Sequence, residues 1–209
     1  MIVFAVALAL SVGSVAQAAN ALLNSSFEDV SQGTVPPPSP LNGWILADRG
    51  GTGEFSTVFA HTGLYSAKIV NGNPNSMKQE NVALDPLATY QQSAWVYLTD
   101  LADPVLGTAI LFRCGWKVLP GDPPVYDAGA TYYVTETNKW VQVVDTRSFT
   151  GYSVCSMWSV RAFSGAVPVY FDDVDLSSAP ACPSGGHEQQ VCFHRCRCPC
   201  LEQASQGLG

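Results

Sequence analysis

Apolar and polar positions alternate with period two through most of this chain. In "TYQQSAWVYL" (89–98), Ala94, Val96 and Leu98 share one face while Trp95 and Tyr97 share the other. In "GTAILFRCGWKVL" (107–119), Ile110, Phe112, Cys114, Trp116 and Val118 fall on one side and Arg113 and Lys117 on the opposite side. Eight further runs have the same character: "ALLNSSFE" (21–28), "GEFSTVFA" (53–60), "YSAKIV" (65–70), "SMKQENVAL" (76–84), "TYYVT" (131–135), "KWVQVVD" (139–145), "YSVCSMWSVRAF" (152–163) and "VPVYFDDVDL" (167–176). Turn signals such as "NGNPN" and "PGDPP" separate them, and no stretch holds a 3.6-residue period over three turns. The pattern predicts an all-β sandwich or barrel.

The ends of the chain differ from its body. Residues 1–19 open on ten apolar residues and close on Ala16-Gln17-Ala18, the layout of a signal peptide with a small-residue cleavage site. The amino terminus is the one positive charge ahead of that run. Secretion follows, and no later segment approaches the ~18 apolar residues of a membrane span. Residues 20–178 form one β domain, with two long inserts at 31–43, which holds four prolines, and 118–129. Residues 179–209 shift to an irregular tail with five of the seven cysteines. A small disulfide knot, a zinc site of no standard spacing, or an erroneous gene-model end would each account for it. In the body, Cys114 and Cys155 both sit mid-strand, so a disulfide between neighbouring strands is expected there, with buried free thiols as the alternative.

Charge excludes more than it selects. Ten Lys and Arg against seventeen Asp and Glu give a net charge of −7, and no basic run exists. Nucleic acid is therefore not a partner. Nor is there a G-x-S-x-G elbow, an H-E-x-x-H helix or a P-loop. Glu54, Glu80 and Glu136 lie in or beside strands, but nothing in the pattern ties two of them to one face as glycoside hydrolysis requires. The sequon Asn24-Ser25-Ser26, inside the first run, is a glycosylation candidate or an unmodified strand Asn.

Three stretches in order, "LLNSSFED", "HTGLYSAKIV" and "VYFDDVDLSS", carry a resemblance. With Phe27-Glu28, Gly43-Trp44, Gly63, Ser66-Ala67, Trp140 and Phe171 through Leu176 in their places, residues 20–178 resemble carbohydrate-binding modules of the CBM-CenC type (families 4 and 9) within the galactose-binding-like superfamily. The resemblance implies a jelly-roll β-sandwich. It also implies a structural calcium ion, with Glu28 and Asp172 as carboxylate ligands and backbone oxygens near His61 to Gly63 completing the shell. Phe171, Val174 and Leu176 would point inward around it. Capping of a solvated sheet edge is the alternative role for these acids.

Polysaccharides and oligosaccharides bind by laying apolar ring faces on aromatic side chains. Trp95 and Tyr97 are the candidates for stacking, because their strand has an aliphatic face for the core. Arg113 and Gln92 are the candidates for hydrogen bonding. Trp44 and Trp140 occupy places that in the family resemble packing. The expected function is that of a secreted, extracellular, non-catalytic carbohydrate-binding protein for a cell-wall or plant polysaccharide. The alternatives are a small β-sandwich glycoside hydrolase and a surface interaction protein without sugar affinity.

Overall fold

The alternating runs close into two layers. The computed structural model describes residues 19–30, 43–47, 51–71, 75–116, 125–149 and 154–178. Most of the expected signal peptide (1–18), most of the proline-rich insert (31–42), Lys117 with part of the second insert (118–124) and the whole Cys-rich tail (179–209) lie outside them. The ten strands are β1 Ile45–Leu46, β2 Thr52–Ser56, β3 Ser66–Val70, β4 Asn75–Ala83, β5 Thr89–Leu98, β6 Thr108–Trp116, β7 Val125–Val134, β8 Trp140–Ser148, β9 Val154–Phe163 and β10 Val169–Ser178. They form two five-stranded sheets, β1-β4-β9-β6-β7 and β2-β3-β10-β5-β8, with every pairing antiparallel. There is no helix among the described residues. This is the expected jelly-roll β-sandwich.

The inward positions of each strand fill the space between the sheets. Ala94, Val96 and Leu98 of β5 meet Ile110 and Phe112 of β6 and Val160 and Ala162 of β9, all fully buried. Trp44, Trp158, Phe27 and Phe112 form a chain of ring contacts within that core. Cys114 and Cys155 are disulfide-bonded across the neighbouring strands β6 and β9, with Cα atoms 5.6 Å apart, as expected from their mid-strand positions.

Two expected elements differ. The run 21–28 is not a strand: Asn24 and Phe27 take positive φ angles of 43° and 60°, which break the extended backbone. An isolated bridge, Asn20 to Ser177, is all that joins this segment to β10 as ladder. In the other direction, β7 begins at Val125, inside the insert expected to be loop at 118–129. Its pairing with β6, from Trp116↔Val125 to Thr108↔Val134, overrides the weak strand propensity of "DAGA". Gly129 is needed there, because a Cβ would come within 2.8 Å of Asp145 Oδ2 and 2.9 Å of the Phe112 carbonyl oxygen.

Candidate functional site

The acidic strand resolves first. Between Asp172↔Trp95 and Asp175↔Ser93 the register slips by one residue, and Asp173 takes φ 43°. This bulge reverses the parity of β10, so Phe171 before it and Val174 and Leu176 after it all reach the core. The displaced acids turn to the segment between β2 and β3. Asp172 Oδ2 accepts the backbone N–H groups of His61 (2.7 Å) and Thr62 (3.2 Å), and Oδ1 accepts that of Asp173 (2.8 Å). Asp173 receives the Thr62 hydroxyl at 2.7 Å and lies 2.7 Å from His61 Nδ1. Glu28 accepts the N–H groups of Leu64 and Tyr65 at 2.9 to 3.1 Å. Gly63 (φ 61°) lies so close that a Cβ would meet the Glu28 carboxylate at 2.4 Å.

Glu28 and Asp172 thus hold opposite ends of one short segment through its N–H groups. The expected calcium shell drew on backbone oxygens from the same segment, and the donors present there compete with a cation for the carboxylate lone pairs. No group of three or more His, Cys, Asp or Glu gathers around a possible metal position among the described residues. A calcium ion held by Glu28 and Asp172 would have to displace these N–H donors. Burial pushes the Asp172 carboxyl up to about 6, against the opposing pull of its three backbone N–H bonds.

The four expected sugar contacts occupy three different places. Trp95 and Tyr97 do project from the outer face of the β2-β3-β10-β5-β8 sheet, opposite the aliphatic face of β5. Each already has a stacked ring: His61 on Trp95 at 3.9 Å and Phe59 on Tyr97 at 4.3 Å. Trp140 and Tyr170 complete this half-buried aromatic cluster, which fastens the 57–65 segment to the sheet. Gln92 lies between the sheets, 1% exposed, and its amide is spent on Trp158 Nε1 (2.9 Å) and Asp145 Oδ2 (3.2 Å). Its even-numbered place on β5 faces the core with Ala94 and Val96, so it cannot reach a polysaccharide. Arg113 is on the outer face of the other sheet. A single groove built from all four is excluded by the two-layer geometry.

Asn24, the sequon residue, sits in a turn and not in a strand. Its side chain exchanges two 2.9 Å hydrogen bonds with the backbone of Asp29. Glu54, Glu80 and Glu136 lie apart from one another, beside Lys68, Lys78 and Lys139 respectively.

The outer face around Arg113 holds what the sequence did not single out. Ala109, Leu111 and Arg113 of β6 are flanked by Phe163, Arg161 and Ser159 of β9 and by Tyr133 and Thr131 of β7. Where β6 begins, this face opens into a cavity of about 660 Å³ lined by Tyr133, Phe163, Thr131, Ser164, Asp103 and Leu106, among others. Tyr133 is 56% exposed. Ser164 is 2% exposed, and its hydroxyl has no hydrogen-bond partner among the described residues. Asp103 Oδ1 is held by the N–H groups of Leu106 and Val105, which lower its pKa. The signal in the sequence was alternation alone: in "TYYVT" Tyr132 faces in and Tyr133 out, and in "SVRAF" Val160 and Ala162 face in while Ser159, Arg161 and Phe163 face out.

Neither a family model nor a curated protein matches this sequence. Solved structures do match its fold. The CBM22-1 xylan-binding domain of Paenibacillus barcinonensis Xyn10C superposes with TM-score 0.55 at 17% identity, covering 79% of this chain and 98% of that one. The CBM22-1-CBM22-2 tandem domain of the same protein gives 0.57 at 20% identity over 80% of this chain and 48% of that one. Its CBM22-2 xylan-binding domain gives 0.55 at 16% identity, over 74% and 97%. The chain therefore has the fold of the β-sandwich carbohydrate-binding modules.

Proposed function

We propose that this protein is a secreted, non-catalytic carbohydrate-binding protein that takes a cell-wall or plant polysaccharide on the outer face of the β1-β4-β9-β6-β7 sheet. The cavity beside Tyr133 and Phe163 carries this reading. Its aromatic walls suit the apolar faces of sugar rings, and the unpartnered Ser164 hydroxyl suits a sugar hydroxyl. The fold shared with modules described as xylan-binding supports the same class. Within that class, the order of Phe27-Glu28, Gly63 and Phe171 to Leu176 favours the CenC type. Xylan is the first ligand to try. The three glutamates considered for hydrolysis stand apart, which supports binding without cleavage.

Retention on insoluble xylan, glucans and chitin, with a parallel assay for reducing sugar, tests the function. Retention without released sugar is expected, and released sugar would turn the assignment to a hydrolase. Tyr133→Ala should weaken retention by about 1 to 3 kcal/mol, by analogy with stacking of nucleic-acid bases on aromatic rings. Its melting temperature should hold, since more than half of the side chain is exposed.

A further inference from the structure

Under the proposed binding cavity the sheet carries only small side chains. Ala109 of β6 lies opposite Tyr133 of β7 on one side and Phe163 of β9 on the other, so the three form one row on the outer face. Gly107, just ahead of β6, also lines the cavity and contributes no side chain. Neighbouring strands stand about 4.8 Å apart, which sets the roots of Tyr133 and Phe163 about 10 Å apart across the Ala109 methyl. Side chains rise roughly perpendicular to a sheet. A flat ring standing on edge between the two therefore lies about 5 Å from each, within the range at which ring faces stack. One ring fits that interval. A pair of rings, needing three such spacings, does not.

The charged wall of this slot is Asp103. Its Oδ1 accepts the N–H groups of Val105 (2.7 Å) and Leu106 (2.9 Å), and its carbonyl oxygen accepts that of Gly107 (2.8 Å). These bonds fix the carboxylate in place and favour its ionised form. Its Oδ2 accepts no hydrogen bond among the described residues. Sugar hydroxyls are donors, and their bonds to an ionised carboxylate are short and strong. No Lys or Arg lines the cavity, so a sugar carboxylate entering it would meet the Asp103 charge without compensation.

We infer that the cavity holds one neutral sugar ring of the bound polysaccharide, edge down over Ala109 between Tyr133 and Phe163, with hydroxyls bonded to Asp103. This rests on the carbohydrate-binding function proposed above and adds two specificity-determining residues. Ala109 selects by size and Asp103 by charge.

Titration calorimetry of the full protein with xylohexaose, cellohexaose, mannohexaose and hexagalacturonate tests the slot. At least one neutral hexasaccharide should bind, and hexagalacturonate should bind it about tenfold more weakly or not at all. With the neutral ligand that binds tightest, Asp103→Asn should lose about tenfold in affinity, because the amide oxygen keeps the two backbone bonds while the charged acceptor is gone. Ala109→Ile should lose about tenfold or more, since a β-branched residue suits the strand yet fills the slot. Both variants should melt near the wild type, which separates loss of a contact from loss of the fold. Where Ala109→Ile melts early, Ala109→Val takes its place. Affinity within about twofold of wild type in either variant, or hexagalacturonate binding as tightly as the neutral ligand, would overturn the slot while leaving carbohydrate binding intact. Binding of none of the ligands would overturn the two together.

Discussion

Trp95 and Tyr97 show how an outward aromatic can be committed to the fold. Their ring faces are taken by His61 and Phe59, so each contributes to holding the 57–65 segment on the sheet. Replacing either by Ala should lower stability by about 1 to 2 kcal/mol, since each ring is half-buried. Polysaccharide affinity should stay within twofold. A variant that melts normally but no longer binds would transfer the site to this face. Asp172 makes a second residue-scale case. Burial pushes its carboxyl up to about 6, above the ordinary carboxylate range, so the folded state holds the proton more tightly than the unfolded chain. Its contribution to stability is therefore complete below the unfolded value and is lost as pH rises through about 6. Thermal melts of the wild type and Asp172→Asn from pH 7 to 4 check this. The wild type should gain on the variant as the pH falls, and parallel curves would show that the carboxyl does not titrate in this window.

Strands are held to one another across and between the sheets by a few specific links. The Cys114–Cys155 disulfide joins β6 to β9 and closes a loop of 41 residues in the unfolded chain. Loop-closure entropy gives it about 3 to 4 kcal/mol, so a Cys114→Ala, Cys155→Ala double variant should lose that much in chemical denaturation. Between sheets the link is polar. Asp145 of β8 receives the Tyr132 hydroxyl from β7 (2.9 Å) and is bonded by Gln92 and by Arg147 Nε (3.0 Å), while Gln92 receives Trp158 Nε1 from β9. Burial and the bond to Asp145 push the Tyr132 hydroxyl up to about 12. Asp145→Ala leaves these buried donors without their acceptor and should cost about 3 kcal/mol, read from the same denaturation curves.

At the scale of the whole molecule, the sandwich is held by its core and by carboxylates that bind backbone N–H groups. Saturating chelator should accordingly leave the melting temperature unchanged in protein verified free of tightly held metal. A fall of several degrees, restored by calcium, would show that Glu28 and Asp172 exchange their N–H partners for an ion when it is available.

Period-two alternation determined the all-β class, nine of the ten expected runs as strands and the inward set on β5, β6 and β9, because side-chain direction in a strand follows position directly. Mid-strand placement made a Cys114–Cys155 disulfide the expectation, and the pairing of β6 with β9 decided it against free thiols. The first run misled because "ALLNSSFE" has strand-like composition, while Asn24 and Phe27 adopt left-handed backbone to fit against Trp44 and β10. The start of β7 was hidden because pairing with β6 decides it. The largest gap lay in the site. Alternation separates inside from outside along one strand but does not say which sheet that strand joins. Only the tertiary pairing put Arg113 on one outer face, Trp95 and Tyr97 on the other, and Gln92 between them. The same pairing brought Phe163, Ala109 and Tyr133 together from three strands, because cross-strand neighbours are set by register, which the sequence does not encode locally.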